Sequence, residues 1–429
     1  MRTMILALLL ITAELTAESQ VLSWRLLPNS PGITGQSRSE DIYFINENTG
    51  WVVRYSGPSY KTTNGGNTWT MQSSSIPESR SVGFFDSQTG ILGSLSSNVL
   101  YRSTNGGFSY SLVANLPSPQ PNGICGISIV DSISAYACGS YMGPGIVIKT
   151  TNKGANWTNA FYDTSKARSL VDCYFWSKDS GIAVGGYNTT GNFSGGSAVV
   201  IKTTDGGATW RRVHKTQRTQ EWCWKISFIS RQTGYVSIER ESGMAYILKT
   251  TNNGDNWSEI QFLAYDEEGF GFLNESTGWI GGWTGPTYMT TNGGSNWQLA
   301  GWGTNLNRFR FLNDTLAYAV GDRVYKFSRG TSGISQISSS FPARFNLQQN
   351  FPNPFNPSTS IRFDVSEAGN YRLCVFDTQG KLVSELFSTR LSPGTYDAGF
   401  NAYELSSGVY FAELSGETQR QVIKIILMK

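Results

Sequence analysis

Apolar residues in this chain fall in short runs of β-branched and aromatic type bounded by Gly, Asn and Ser; Ile146 to Lys149 and Ala198 to Lys202 are examples. Short β-branched and aromatic runs bounded by turn formers predict strands joined by tight turns. The turns themselves repeat. Lys61-Thr-Thr-Asn64-Gly-Gly-Asn-Thr-Trp69 returns around Asn105, Asn152, Asp205, Asn252 and Asn292, six copies spaced 41, 47, 53, 47 and 40 residues apart. A second turn, Phe44-Ile-Asn46-Glu-Asn-Thr-Gly50-Trp51, recurs in seven copies, the last at Phe311 to Ala317.

Each period then holds four strands, a to d, with the second motif as the a–b turn and the first as the c–d turn. Four-stranded units of about 40 to 45 residues repeated several times are the signature of a β-propeller. The expectation is an all-β chain: a seven-bladed propeller over residues 21–327, followed by a small C-terminal β-sandwich. After Arg323 to Phe327 no further box follows, while Val21 to Leu26 reads like the strand that comes after a box. The N-terminal segment is therefore expected to supply the outer strand of the last blade and to close the ring, removing exposed sheet edges.

Composition narrows the function. Thirty-four Lys and Arg against 31 Asp and Glu leave a net charge of +3, which does not suit a binder of nucleic acid that works by phosphate neutralisation. One histidine, His214, removes most zinc sites and any triad needing a second imidazole. Five cysteines are too few for a disulfide scaffold. They read as buried thiols, with Cys125–Cys138 and Cys173–Cys223 as alternative pairings. Met1 to Ala17 carries Arg2, an apolar run from Met4 to Ile11 and small residues at Ala13 and Ala17, which reads as a secretory signal peptide over residues 1–17. No other stretch is long and apolar enough to span a bilayer.

In the box, the carbonyl or carboxylate of Asn64, Asn105, Asn152, Asp205, Asn252 or Asn292 accepts from amides of its own turn, and the Trp after it packs on the blade. These six are read as structural turn residues, not as a metal site, because the acidic ligands that hard cations require are missing. No cofactor is expected. The boxes resemble the Asp-box of BNR-type propellers, and with the Thr-Gly-Trp turn the array resembles the photosystem II stability and assembly factor family. That resemblance implies the propeller fold and an assembly role for an envelope complex as one functional alternative. Sialidases share the Asp-box; their resemblance implies a triad of arginines with a Tyr–Glu pair, for which Arg80, Arg308, Arg310, Glu221, Glu268 and Tyr265 are candidates outside any family motif.

Variable b–c and d–a loops gather on one face, where binding on a rigid scaffold normally occurs. The candidate ligand-binding residues there are Arg80, Asp172, Tyr187, Trp222, Trp224, Lys225, Glu268, Trp283, Arg308 and Arg310. Mixed charge beside aromatics suits a glycan or a protein. The reading is a monomeric, non-enzymatic binding module; the alternative is a glycoside hydrolase, sialidase-like or glucanase-like, at the channel mouth.

A polar tract, Ser328 to Ser340, begins a flexible linker over residues 328–345. Residues 346–429 open with Asn350-Phe-Pro-Asn-Pro354-Phe-Asn-Pro357-Ser-Thr359, carry Val375 to Gly380 and Ser407-Gly-Val-Tyr-Phe411, and end Lys424-Ile-Ile-Leu-Met-Lys429. This module resembles the type A C-terminal sorting domain of the type IX secretion system. The resemblance implies passage through the periplasm of a Gram-negative bacterium, engagement of the secretion machinery by residues 346–429, and a secreted or outer-membrane-surface product.

Overall fold

The computed structural model describes residues 22–27, 29–31, 38–140, 142–188, 196–241, 243–262, 267–329, 334–338, 342–402 and 405–429. The signal peptide expected over residues 1–17 lies outside them. All regular structure among the described residues is strand, and no helix there is long and apolar enough to cross a membrane. The chain forms two compact units, divided near Arg329.

Among the described residues the first unit holds seven four-stranded sheets. Six run in simple sequence order, a to d. The remaining sheet joins Arg308–Asn313, Leu316–Val320 and Val324–Arg329 to Leu22–Leu26, so the N-terminal strand is its outermost member. Leu27 N donates to Val324 O at 3.0 Å beside this join. The a strands are Ser39–Phe44, Ser79–Phe84, Gly126–Ile129, Ser169–Phe175, Glu221–Phe228, Glu267–Phe272 and Arg308–Asn313. Each touches the next, and the last touches the first, which places them around a common centre.

The c–d boxes are built alike. Thr62 Oγ1 donates to Asn64 Oδ1 at 3.0 Å, Thr68 N donates to the same oxygen at 2.9 Å, and Gly66 N donates to Thr62 Oγ1 at 2.9 Å. The set recurs at Asn105, Asn152, Asp205, Asn252 and Asn292. Gly66, with φ +86°, sits where a side chain would be strained and would strike Leu27.

Neighbouring sheets are joined by an aromatic pair. A ring on strand b lies face to face with the strand-a Phe of the adjoining sheet: Trp51 on Phe84 and Tyr136 on Phe175 at 3.5 Å, Tyr235 on Phe272 and Phe44 on Tyr318 at 3.8 Å between centroids. The polar tip of the same ring then reaches a box glycine. Trp51 Nε1 donates to Gly106 O at 2.8 Å and Tyr318 Oη to Gly65 O at 3.1 Å. Turn and interface are thus one device, with apolar area and a satisfied donor supplied by a single side chain.

The second unit is a sandwich of two four-stranded antiparallel sheets. Phe363, Leu373, Val375, Phe387, Tyr396, Ala412 and Ile425 from both sheets fill its core. Ile334–Ser338, read from composition as part of the linker, instead pairs with Gly394–Asn401 as an edge strand, its isoleucines standing out from a serine-rich tract. The proline-rich entry is latched to the last strand. Phe355 N donates to Ile426 O, Met428 N to Phe355 O and Ile426 N to Asn353 Oδ1, each at 2.9 Å. Asn350 Nδ2 closes the turn on Pro352 O and Thr359 Oγ1.

Candidate functional site

The a strands of the propeller are interrupted near their starts. In Ser39–Phe44, Ser39 pairs with Arg54 and Asp41 with Val53, so Glu40 is left out of the ladder. The same extra residue is Arg80 in the next sheet and Glu268 in the sixth. A β-bulge re-aims its unpaired side chain, and these three meet in the centre. Arg80 pairs with Glu40 and, at 3.5 Å, with Glu268; Arg38 bonds Glu40 at 3.0 Å and also Glu268. Asn307 Nδ2 donates to Glu40 O at 2.7 Å.

A second cluster adjoins the first. Arg308 pairs with Asp172 at 2.8 Å and with Asp41 at 3.1 Å, and Arg310 lies 3.5 Å from Asp41. Both aspartates also accept from amides of the adjoining sheet: Val82 N donates to Asp41 and Ile226 N to Asp172. Gly126 makes room for this, since a Cβ there would lie 2.8 Å from the Asp172 backbone. Burial alone would raise the Glu40 carboxyl, but Arg80 and Arg38 outweigh it and hold the group below its ordinary range. Asp172 is held low in the same way by Arg308 and Lys225, against the effect of burial.

Lys225 is the exception in this hub. Its side chain is buried, and its Nζ has no hydrogen-bond partner among the described residues. Burial first, then Arg308 and Arg80, push its pKa down to about 7, with Asp172 and Asp41 opposing. A base whose folded pKa is depressed disfavours the fold below that pKa, and the penalty fades as pH rises toward the unfolded value. Lys225→Met should therefore stabilise the propeller by about 1–4 kcal/mol below pH 7. The gain should shrink between pH 7 and the ordinary lysine pKa of 10.5, as read by denaturant titration at several pH values.

The sequence-derived candidates separate into three places. Arg80, Asp172, Lys225, Glu268 and Arg308 converge in the hub, and Trp224 lies under Arg80, 5.3 Å from its guanidinium. Trp283 is half exposed and carries Arg38 on its face at 3.9 Å. Arg310 donates to Ile42 O and lines a separate cavity of about 520 Å³ with Asn46, Glu47 and Asn313 of the a–b turns. Tyr187 and Trp222 border a third place, a cavity of about 250 Å³ on the loop side that also takes in Tyr162, Arg168, Ser169 and Glu221. All five cysteines are buried thiols, and Gly126 rather than Cys125 stands opposite Cys138 in the ladder. Among the described residues no group of three or more His, Cys, Asp or Glu is placed to hold a metal ion.

Arg38, Asp41, Arg168 and Tyr162 are the participants that sequence reasoning passes over. A faint signal exists for two of them: Arg38-Ser39 and Arg168-Ser169 both fall at the start of an a strand.

Comparison with known proteins follows the same division. Residues 349–428 match the model of the secretion system C-terminal sorting domain. Over 338 residues, 69% of this chain and 79% of the relative, the chain is 23% identical to a chloroplastic photosystem II stability/assembly factor from Oryza sativa subsp. japonica. YCF48 from Cyanidioschyzon merolae is similar in structure with a TM-score of 0.54 at 19% identity, over 71% of this chain and 98% of that one. A structure described as YCF48 bound to D1 peptide gives 0.53 at 17%, over 72% and 97%. The fold shared with these relatives is a β-propeller, and the sorting domain directs export by type IX secretion to the cell surface or the extracellular space.

Proposed function

We propose that the propeller is a non-enzymatic binding module for a glycan or a protein, delivered to the cell surface or beyond by its sorting domain. The observation that carries this is the state of the hub carboxylates. Glycoside hydrolysis through two carboxylates needs one held protonated as an acid. Glu40, Asp41, Asp172 and Glu268 are each paired with arginine, and Glu40 and Asp172 are held low rather than high. The loop face, in contrast, keeps a cavity lined by aromatic and polar groups. We assign binding to residues 21–327 and sorting to residues 346–429, after removal of residues 1–17.

The full exported chain, applied to a glycan array and to a panel of fluorogenic glycosides, is expected to bind saturably and release no fluorophore. Turnover abolished by Glu221→Gln or Glu268→Gln would overturn the reading. A peptide ligand is the second arm, favoured by the likeness to YCF48, which is described as bound to D1 peptide. Co-purification of one stoichiometric protein partner, with an empty glycan array, would select it.

A further inference from the structure

We infer that the 250 Å³ loop-side cavity binds the carboxylate-bearing ring of an acidic sugar, a hexuronate, through Arg168. This deepens the glycan arm of the reading above and rests on it. Arg168 is half-buried and lines the cavity, and its guanidinium has no hydrogen bond or ion pair among the described residues; Nε is buried without a partner. A guanidinium whose buried Nε lacks a partner among the described residues carries a cost, and a carboxylate is the group whose geometry matches it. Arg212 and Lys215 add positive charge beside the cavity, lying 4.9 and 5.0 Å from the Tyr187 ring.

The one acid in the lining does not cancel this. Glu221 is fully buried, and its Oε2 is already shared by Arg218 at 2.9 Å and Arg240 at 3.2 Å. Its Oε1 has no donor among the described residues, which calls for a hydroxyl as well as an anion in the occupant. Ser169 Oγ accepts from Gly186 N at 3.1 Å and retains its own proton to donate. Tyr162, half exposed at the rim, offers a flat apolar face for the C–H side of a ring. The volume lies below the roughly 300–1,000 Å³ of drug-sized pockets, which fits one ring rather than an oligosaccharide. A lone carboxylate, already ion-paired, leaves the cavity without the pair that hydrolysis requires.

The test uses matched methyl glycosides of glucuronate, galacturonate and mannuronate, each against its neutral hexoside, titrated into the full chain by ligand-observed NMR. At least one uronoside should bind at least about tenfold more tightly than its neutral counterpart, with affinity falling as salt rises. Arg168→Met should remove that preference, and Tyr162→Ala should weaken the uronoside without abolishing discrimination. Because Arg168 makes no ion pair among the described residues and Tyr162 is exposed, unchanged thermal midpoints are expected to certify both folds. Equal affinity for the paired glycosides, or discrimination that survives Arg168→Met, would overturn the inference. In either case array binding that persists leaves the binding module standing, whereas an array without any signal and no captured protein removes the module itself.

Discussion

Arg308→Met should destabilise the propeller by about 3–5 kcal/mol, the largest single-residue effect expected in the hub. Arg308 is the shared partner of Asp41 and Asp172, both buried, and its removal strands two carboxylates at once. Coulomb attraction in the interior makes such a pair only modestly favourable overall, but a partner lost is costly because the other charge cannot return to water. The sign with pH follows. Asp172 has a depressed pKa, so its contribution is present above the ordinary aspartate range and is lost as pH falls through the folded value. Denaturant midpoints for the wild type and the variant should therefore converge on acidification. A parallel loss at every pH would show that the arginine acts by volume instead of charge. Paired with the stabilising Lys225→Met, the result has a clear form: two cations in one hub, both replaced by methionine, with opposite outcomes.

The second large effect is on delivery. Removal of residues 346–429 should abolish appearance of the protein on the cell surface and in the medium, with the propeller retained inside the outer membrane. The sorting match covers residues 349–428, and the latch between Asn353, Phe355 and the final strand ties its opening motif to its terminus. Fractionation with surface proteolysis measures this. Delivery at the wild-type level would sever the tail from export. Asn353→Ala, which removes only the bond to Ile426 N, should give a partial defect if the latch itself is recognised.

The turns made the fold legible. Each box carries its own hydrogen-bond pattern within a few residues, so repetition of Asn64-Gly-Gly or Asn46-Glu-Asn-Thr is visible without knowing what packs on it. The closing strand at Leu22–Leu26 was legible for the same reason, since it lacked a box of its own. The hub was only half legible. Arg80, Glu268 and Arg308 are legible as loop-face candidates, yet their pairing depends on where the bulges fall. A bulge is one extra residue in a register, and an alternating pattern hides it. Asp41 was overlooked because its partner Arg308 lies in the last sheet, joined to the first only by ring closure. In the loop-side cavity, Tyr187, Trp222 and Glu221 stood out as aromatics and charge in loops. Arg168 and Tyr162 did not, because what distinguishes Arg168 is the absence of a partner among the described residues, which no sequence displays.

The strand that joins Leu22–Leu26 to Val324–Arg329 also sets a timetable. Its two halves are separated by roughly 300 residues, and bringing such distant ends together costs about 5 kcal/mol of chain entropy beyond a constant. Nothing local compensates until the intervening sheets exist, so the ring is expected to shut last, after the whole propeller has been made. Until then the early sheets lack their final clasp, and the molecule stays pliable until the segment just ahead of the sorting tail has been made.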